Sequence, residues 1–228
     1  MPVDWSDEEK QSFAVALQVL GRLQASLPNK VEAAKTSRKA KLPFFTACLR
    51  ECLLYRVVEL GQSTCDEIKA ERLVSSAVLI RALLEAVALI ILLDQRIREA
   101  VGSSRVEYLE SLVSRGLVGC KNDVTPIEAI NVLTILKHVT KQYDGFEQIY
   151  KELSEIAHPN WGGLLGAYGI LNEEERLYEL QRSKLPLAMV ILPFRAALEI
   201  FHHAYNTMVP FLHQLVDVAD GALAKPEA

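Results

Sequence analysis

Ser75-Ser76-Ala77-Val78-Leu79-Ile80-Arg81-Ala82-Leu83-Leu84-Glu85-Ala86-Val87-Ala88-Leu89-Ile90-Ile91-Leu92-Leu93-Asp94 is the stretch on which the fold turns. Its middle is apolar on every side of a helical wheel, as expected of a helix surrounded by others. The helix it belongs to is expected over about Leu73 to Ala100. Arg81 and Glu85 interrupt the apolar run, and Asp94-Gln95-Arg96 ends it. A bilayer span needs about 20 mostly apolar residues, so a core helix of a water-soluble bundle is expected and no membrane is called for.

Helical signals continue on both sides. Ser6 and Glu9 have the spacing of a capping box, opening a helix that Pro28 stops after about Leu27. A basic connector follows, with Lys30, Lys35, Arg38, Lys39 and Lys41. Phe44 to Lys69 alternates a polar stripe (Glu51, Tyr55, Glu59, Gln62, Asp66, Lys69) with an apolar one (Phe45, Leu49, Leu53, Val57, Leu60). Gly102-Ser103-Ser104 breaks the central helix, and Arg105 to Ser114 gives a shorter amphipathic one. Gly116, Gly119 and Lys121-Asn122-Asp123 mark a loop. Thr125-Pro126-Ile127-Glu128 has the signature of a helix start, with the helix reaching about Lys141. Phe146 to Ala157 forms another helix before His158-Pro159.

The four glycines between Asn160 and Gly169 make an irregular crossover loop near 160–180. Within it, Leu164 to Leu180 is either an irregular excursion or a short hairpin turning near Asn172-Glu173. From about Leu185 to Val218 the helical pattern returns, with Pro193 and Pro210 as kinks or breaks. The expected fold is all-α: one domain over 1–228, a bundle of six or seven helices. It divides into an N-terminal helix and basic connector (1–42), core helices (43–158), the irregular loop (159–183), a C-terminal helix (184–220) and a tail (221–228).

Half of the 228 residues are apolar and 24% charged, the balance of a folded globular chain. The net charge of −4 and pI near 5.8 give no overall field for nucleic acid or an anionic membrane. The acidic start from Met1 lacks the basic head and apolar stretch of a signal peptide. Cys48, Cys52, Cys65 and Cys120 contain no C-x-x-C pair, so reduced thiols in the cytoplasm are expected. No phosphate loop, nucleophile elbow or zinc-spaced cysteine set is present, and the sequence leaves any cofactor unknown.

The polar residues out of place in such a core are the functional candidates. Arg81 and Glu85 share one face of the central helix at i, i+4. Buried charge is costly unless paired, and Arg before Glu is the weaker helix orientation, so helix stability is a poor reason for the pair. Either it fixes how the helices pack or it belongs to a site. Tyr150, Ser154 and His158 recur every four residues, lining up a phenol, a hydroxyl and an imidazole. Pro159 leaves His158 at a helix C-terminus, where the dipole favours a protonated ring. The alternative there is a simple cap followed by a glycine turn. These five residues are the expected binding site.

Two Glu-x-x-His pairs, Glu155/His158 and Glu199/His202, have the spacing used by di-iron carboxylate bundles, with Glu59 and Glu85 as the single carboxylates from other helices. Both pairs fall late in the chain, unlike the alternating order of ferritin-like proteins. A metal-dependent bundle enzyme is therefore a third option.

Ser76-x-x-x-x-Arg81-x-x-x-Glu85 and Leu153-Ser154-x-x-x-His158 resemble the helix motifs of a bacterial group of uncharacterised helical proteins, which is itself distantly similar to the HEPN superfamily. The resemblance covers roughly residues 44–163. It implies a helical domain related to RNA-cutting toxins and defence nucleases, acting as paired motifs across a homodimer. Those enzymes use an Arg, four to six residues, then a His. Arg195 and His202 match that spacing, with Ala196 where the family has a polar residue. The resemblance implies that Arg195 would hold phosphate and His202 act on the 2′-hydroxyl or leaving oxygen, with RNA as partner. A ligand-binding or protein-interaction module around Arg81, Glu85 and His158 is the first expectation, the ribonuclease the second.

Overall fold

The computed structural model describes residues 5–122, 124–182 and 184–224. The chain is all-α, with ten helices and one two-stranded sheet among the described residues. The expected acidic start (1–4), Asp123 of the loop and the last residues of the tail (225–228) lie outside them.

Helix α1 (Asp7–Ala25) starts as its capping box dictates: the Ser6 hydroxyl accepts the Glu9 amide at 3.2 Å, and Glu9 accepts the Ser6 amide at 2.8 Å. The basic connector holds one helical turn, α2 (Ala33–Thr36). Helix α3 (Leu42–Lys69) carries Pro43 in its first turn and buries Leu49, Leu53, Leu54, Val57 and Val58. Two members of its expected stripes change sides. Phe45 is exposed, while Glu51 is mostly enclosed beside Arg50.

Helix α4 (Leu73–Ser103) is the axis of the fold and touches α3, α5 (Glu107–Leu117), α6 (Val132–Val139), α7 (Phe146–Ala157), α9 (Ala188–Thr207) and α10 (Val209–Leu223). Ile80, Leu83, Val87, Ile90, Leu93 and Ile97 are buried completely. By length and composition α4 is the one described helix apolar enough to cross a membrane, and other helices enclose most of it. The enclosure is not total. Val78, Arg81, Ala82, Glu85 and Leu89 form a strip along α4 that stays partly open.

Beyond α7, a single turn α8 (Leu165–Tyr168) leads into an antiparallel hairpin of β1 (Gly169–Asn172) and β2 (Leu177–Leu180). The hairpin alternative thus replaces the irregular one over that segment. Helix α9 continues through Pro193, and Pro210 sits in the first turn of α10, where a missing N–H costs nothing. That division, with the two single-turn helices, takes the helix count beyond six or seven.

The largest departure is at Thr125. The expected helix from Thr125 to Lys141 shrinks to α6, and 118–122 and 124–131 are strapped loop. The Thr125 hydroxyl donates to Val118 O at 2.6 Å instead of capping. Cys120 exchanges backbone bonds with Ile127 and Ala129, and Arg115 holds the Glu128 and Ala129 carbonyls at 3.1 Å each. Those backbone groups are no longer free for an α-helical ladder. Asn131 caps α6 instead, its side-chain oxygen accepting the Leu133 amide at 2.9 Å.

Candidate functional site

Where α7 crosses the open strip of α4, four side chains lock together. Arg81 Nε donates to Ser154 Oγ at 2.9 Å, and Arg81 Nη2 donates to the Tyr150 hydroxyl at 2.9 Å. The same hydroxyl donates to Glu85 Oε1 at 2.9 Å, while Ser154 Oγ donates to the Tyr150 carbonyl at 2.7 Å. Arg81 Nη2 and Glu85 Oε1 are 3.6 Å apart, so Tyr150 bridges a pair that only brushes directly. This accounts for the unfavourable Arg-before-Glu order. The pair is organised by the neighbouring helix, not by α4.

Neither charge is fully buried, contrary to the sequence expectation. The Arg81 and Glu85 side chains keep 31% and 25% of their exposure because they face a cavity. Its volume is about 790 Å³, within the range of small-molecule sites. Arg81, Glu85, Tyr150, Ser154 and His158 all line it, so the five expected binding residues share one space. Val132, Leu133 and Leu136 of α6 form an apolar wall, and Lys121, Asn131, Lys137, Glu147 and Lys151 complete the lining. Burial, followed by the hydrogen bond to Glu85, raises the Tyr150 phenol above its ordinary pKa. It acts as a neutral hydrogen-bonding bridge at neutral pH.

His158 reaches the cavity through the end of α7. It is the C-cap, with extended backbone, and its N–H donates to Ser154 O at 3.1 Å. Asn160 then fastens the turn, its side-chain oxygen accepting the Gly162 and Gly163 amides at 3.0 and 3.3 Å. At Gly163 a Cβ would lie 2.1 Å from His158 O and 2.5 Å from Ile156 O. Only glycine permits so close a return of the chain.

Charge is unevenly shared around the cavity. Arg81, Lys121, Lys137 and Lys151 face it against Glu85 and Glu147. Glu147 is engaged by Lys151 at 2.8 Å, and the lysine holds its carboxyl below the usual range. Lys121 and Lys137 form no ion pair within 4 Å among the described residues. Sequence reasoning missed these lysines because loop and surface cations look alike until the fold brings them together.

It also missed a second charged cluster. Arg50 Cζ lies 3.5 Å over the Tyr205 ring, Arg50 Nη2 donates to Tyr205 O at 3.0 Å, and the Tyr205 hydroxyl donates to Glu51 Oε2 at 2.7 Å. Arg50 also pairs with Glu51, and its Nε is buried without an acceptor. The signal was available, since Arg50 falls between Thr46, Leu53 and Val57 on the buried stripe of α3. A cleft of about 360 Å³ against the connector and α10 lies beside it.

The other candidates do not converge. No group of three or more His, Cys, Asp or Glu side chains with metal-binding geometry occurs among the described residues. Glu59, Glu85, Glu155, His158, Glu199 and His202 are therefore not gathered into the four-carboxylate centre envisaged. Glu155 accepts from Asn160 Nδ2 at 2.6 Å, Glu85 is bound to Tyr150, and Arg195 pairs with Glu199 at 3.3 Å. On α9, Arg195 is thus turned toward Glu199, and burial, Arg22 and His203 together lower the His202 pKa. All four cysteines are free thiols.

The chain matches no protein-family model, no curated protein and no solved structure. The likeness to HEPN proteins accordingly rests on its short motifs alone.

Proposed function

We propose that this protein is a small-molecule-binding module, and that its site is the cavity between α4, α6 and α7. One observation carries the reading. Tyr150 and Ser154 of α7 hold Arg81 of α4 in a fixed pose at this cavity of about 790 Å³, while Arg81 Nη1 has no acceptor among the described residues. A guanidinium hydrogen-bonded by neutral partners, with Glu85 3.6 Å away and one nitrogen to spare, is preorganised for a ligand, and preorganisation lowers the cost of binding. The free thiols suit a reducing compartment such as the cytoplasm.

The test is a ligand-observed NMR screen of a fragment library against the protein and its Leu133→Trp variant. Leu133 is 61% exposed on the cavity wall, so an indole there intrudes on the space beside α6 without disturbing the core. Fragments that bind the protein and are lost from the variant support the reading. A screen in which every hit survives the substitution refutes it. The ribonuclease alternative is supported by the Arg195 and His202 spacing only. RNA cleavage that disappears in His202→Ala would establish it in place of the binding module.

A further inference from the structure

The cavity has a chemical bias that narrows its ligand. It faces four permanent cations and two carboxylates, in a chain whose overall charge is −4. The carboxylates are already committed, Glu85 to Tyr150 and Arg81, Glu147 to Lys151. Among the described residues, the hydrogen-bonding capacity left over is therefore on the donor side: Arg81 Nη1, Lys121 and Lys137, the last acting on Glu147 only through its charge, with the His158 ring at the helix end. An acidic chain that gathers four cations against two carboxylates around this cavity has a local field opposite to its overall one. Such a field draws in anions and is strengthened by the low-dielectric walls around it.

The opposite wall is apolar. Val132, Leu133 and Leu136 present aliphatic surface, and Leu133 leaves most of its side chain uncovered. A second cavity of about 370 Å³ meets the first at Glu85 and Val132 and continues along α4 past Leu49, Leu53, Leu89 and Ile135. An inorganic anion would use the donors and leave this surface wet. A ligand with an aliphatic body would use both.

Resting on the pocket reading above, we infer that the ligand is an amphipathic organic anion: a carboxylate or phosphate head held by Arg81, Lys121 and Lys137, with an aliphatic body against α6. Guanidinium and ammonium donors bind both kinds of head, Arg by planar hydrogen bonding and Lys as a point charge. Tyr150 and Ser154 position Arg81.

Four probes with one six-carbon body separate the possibilities: hexanoate, hexyl phosphate, hexanamide and hexylamine, titrated calorimetrically into the full chain at low and high salt. Both anions should bind at least about tenfold tighter than hexanamide at low salt, a preference that screening reduces. Hexylamine should bind weakest. Lys121→Ala/Lys137→Ala, two surface changes, should remove most of the preference while leaving hexanamide affinity unchanged. The ratio of hexyl phosphate to hexanoate then tells which head the site takes. If hexanamide or hexylamine matches the anions and Leu133→Trp still blocks it, the anion inference is overturned and the pocket stands. If no probe binds in a way that Leu133→Trp blocks, both fall together.

Discussion

Tyr150→Phe is the sharpest test of the geometry. The substitution deletes one oxygen and leaves the buried ring in place, so no cavity term enters. It removes two hydrogen bonds to charged groups, one received from Arg81 Nη2 and one given to Glu85 Oε1. Bonds of that kind contribute about 1.5–3 kcal/mol each when their partners are left unsatisfied. Here cavity water reaches both partners, which retain 31% and 25% exposure, and the two charges remain 3.6 Å apart. Each bond is therefore worth less than that range, about 1 kcal/mol, and we expect about 2 kcal/mol in total. For a chain of this size that lowers Tm by about 4–8 °C, since each kcal/mol shifts it about 2–4 °C. Urea unfolding followed by circular dichroism measures the change, provided the denaturant slope stays constant. A cycle with Glu85→Gln adds a second reading, because residues in one network couple by about 0.5–3 kcal/mol. A loss below about 0.5 kcal/mol with no coupling to Glu85 would mean that the bridge does not hold the helices, and the argument for a preorganised Arg81 would go with it.

Other consequences follow from neighbouring features. Gly163→Ala should destabilise the fold by roughly 1–3 kcal/mol and weaken hexyl phosphate binding, because the new Cβ collides with two backbone carbonyls; Gly102→Ala, with nothing within 4 Å, is the matched control, and equal behaviour of the two would refute the close-approach argument. Iodoacetamide mapping at pH 8 should label Cys120 well before Cys65: hydrogen bonds from Thr125 lower the Cys120 thiol, whereas burial pushes Cys65 up to about 11, and comparable rates would contradict this. Stability should decline in alkali, because burial raises both the Tyr150 and Tyr205 phenols in the folded state. Their contribution is complete below the unfolded phenol value of about 10 and is lost as pH climbs through the folded values. Urea midpoints from pH 8 upward should fall less steeply in Tyr150→Phe/Tyr205→Phe than in the unaltered chain, and parallel slopes would count against it.

How far the sequence carried the fold depended on whether a signal was periodic or positional. Ser6 and Glu9 cap α1 as their spacing requires, and α7 occupies Phe146–Ala157, the span its periodicity defines. Thr125-Pro126-Ile127-Glu128 failed because a cap is only an offer of hydrogen bonds. Val118 O and the Arg115 guanidinium, distant from any local pattern, made the better offer. The same distinction runs through the site. Arg81, Glu85, Tyr150, Ser154 and His158 were visible because each is polar where its helix predicts an apolar or terminal position. Lys121, Lys137 and Lys151 were not, since an exposed lysine is unremarkable until two elements bring several to one rim. Arg50 shows the limit from the other side: it lies on the buried stripe of α3, yet its neighbour Glu51 belonged to the expected polar stripe and hid it. Both clusters join an Arg and a Glu of one helix through a Tyr of another, but their settings differ. Arg50 is enclosed against the Tyr205 ring and directed into the fold, whereas Arg81 is held at its edge by Tyr150 and Ser154 and opens onto the larger cavity. The enclosed cluster fastens α3 to α9, and the open one leaves donors to spare. Arg50 Nε also lacks an acceptor among the described residues, but that atom is buried, so solvent access to the spare donor, more than its existence, is what favours the Arg81 cluster as the place for a ligand.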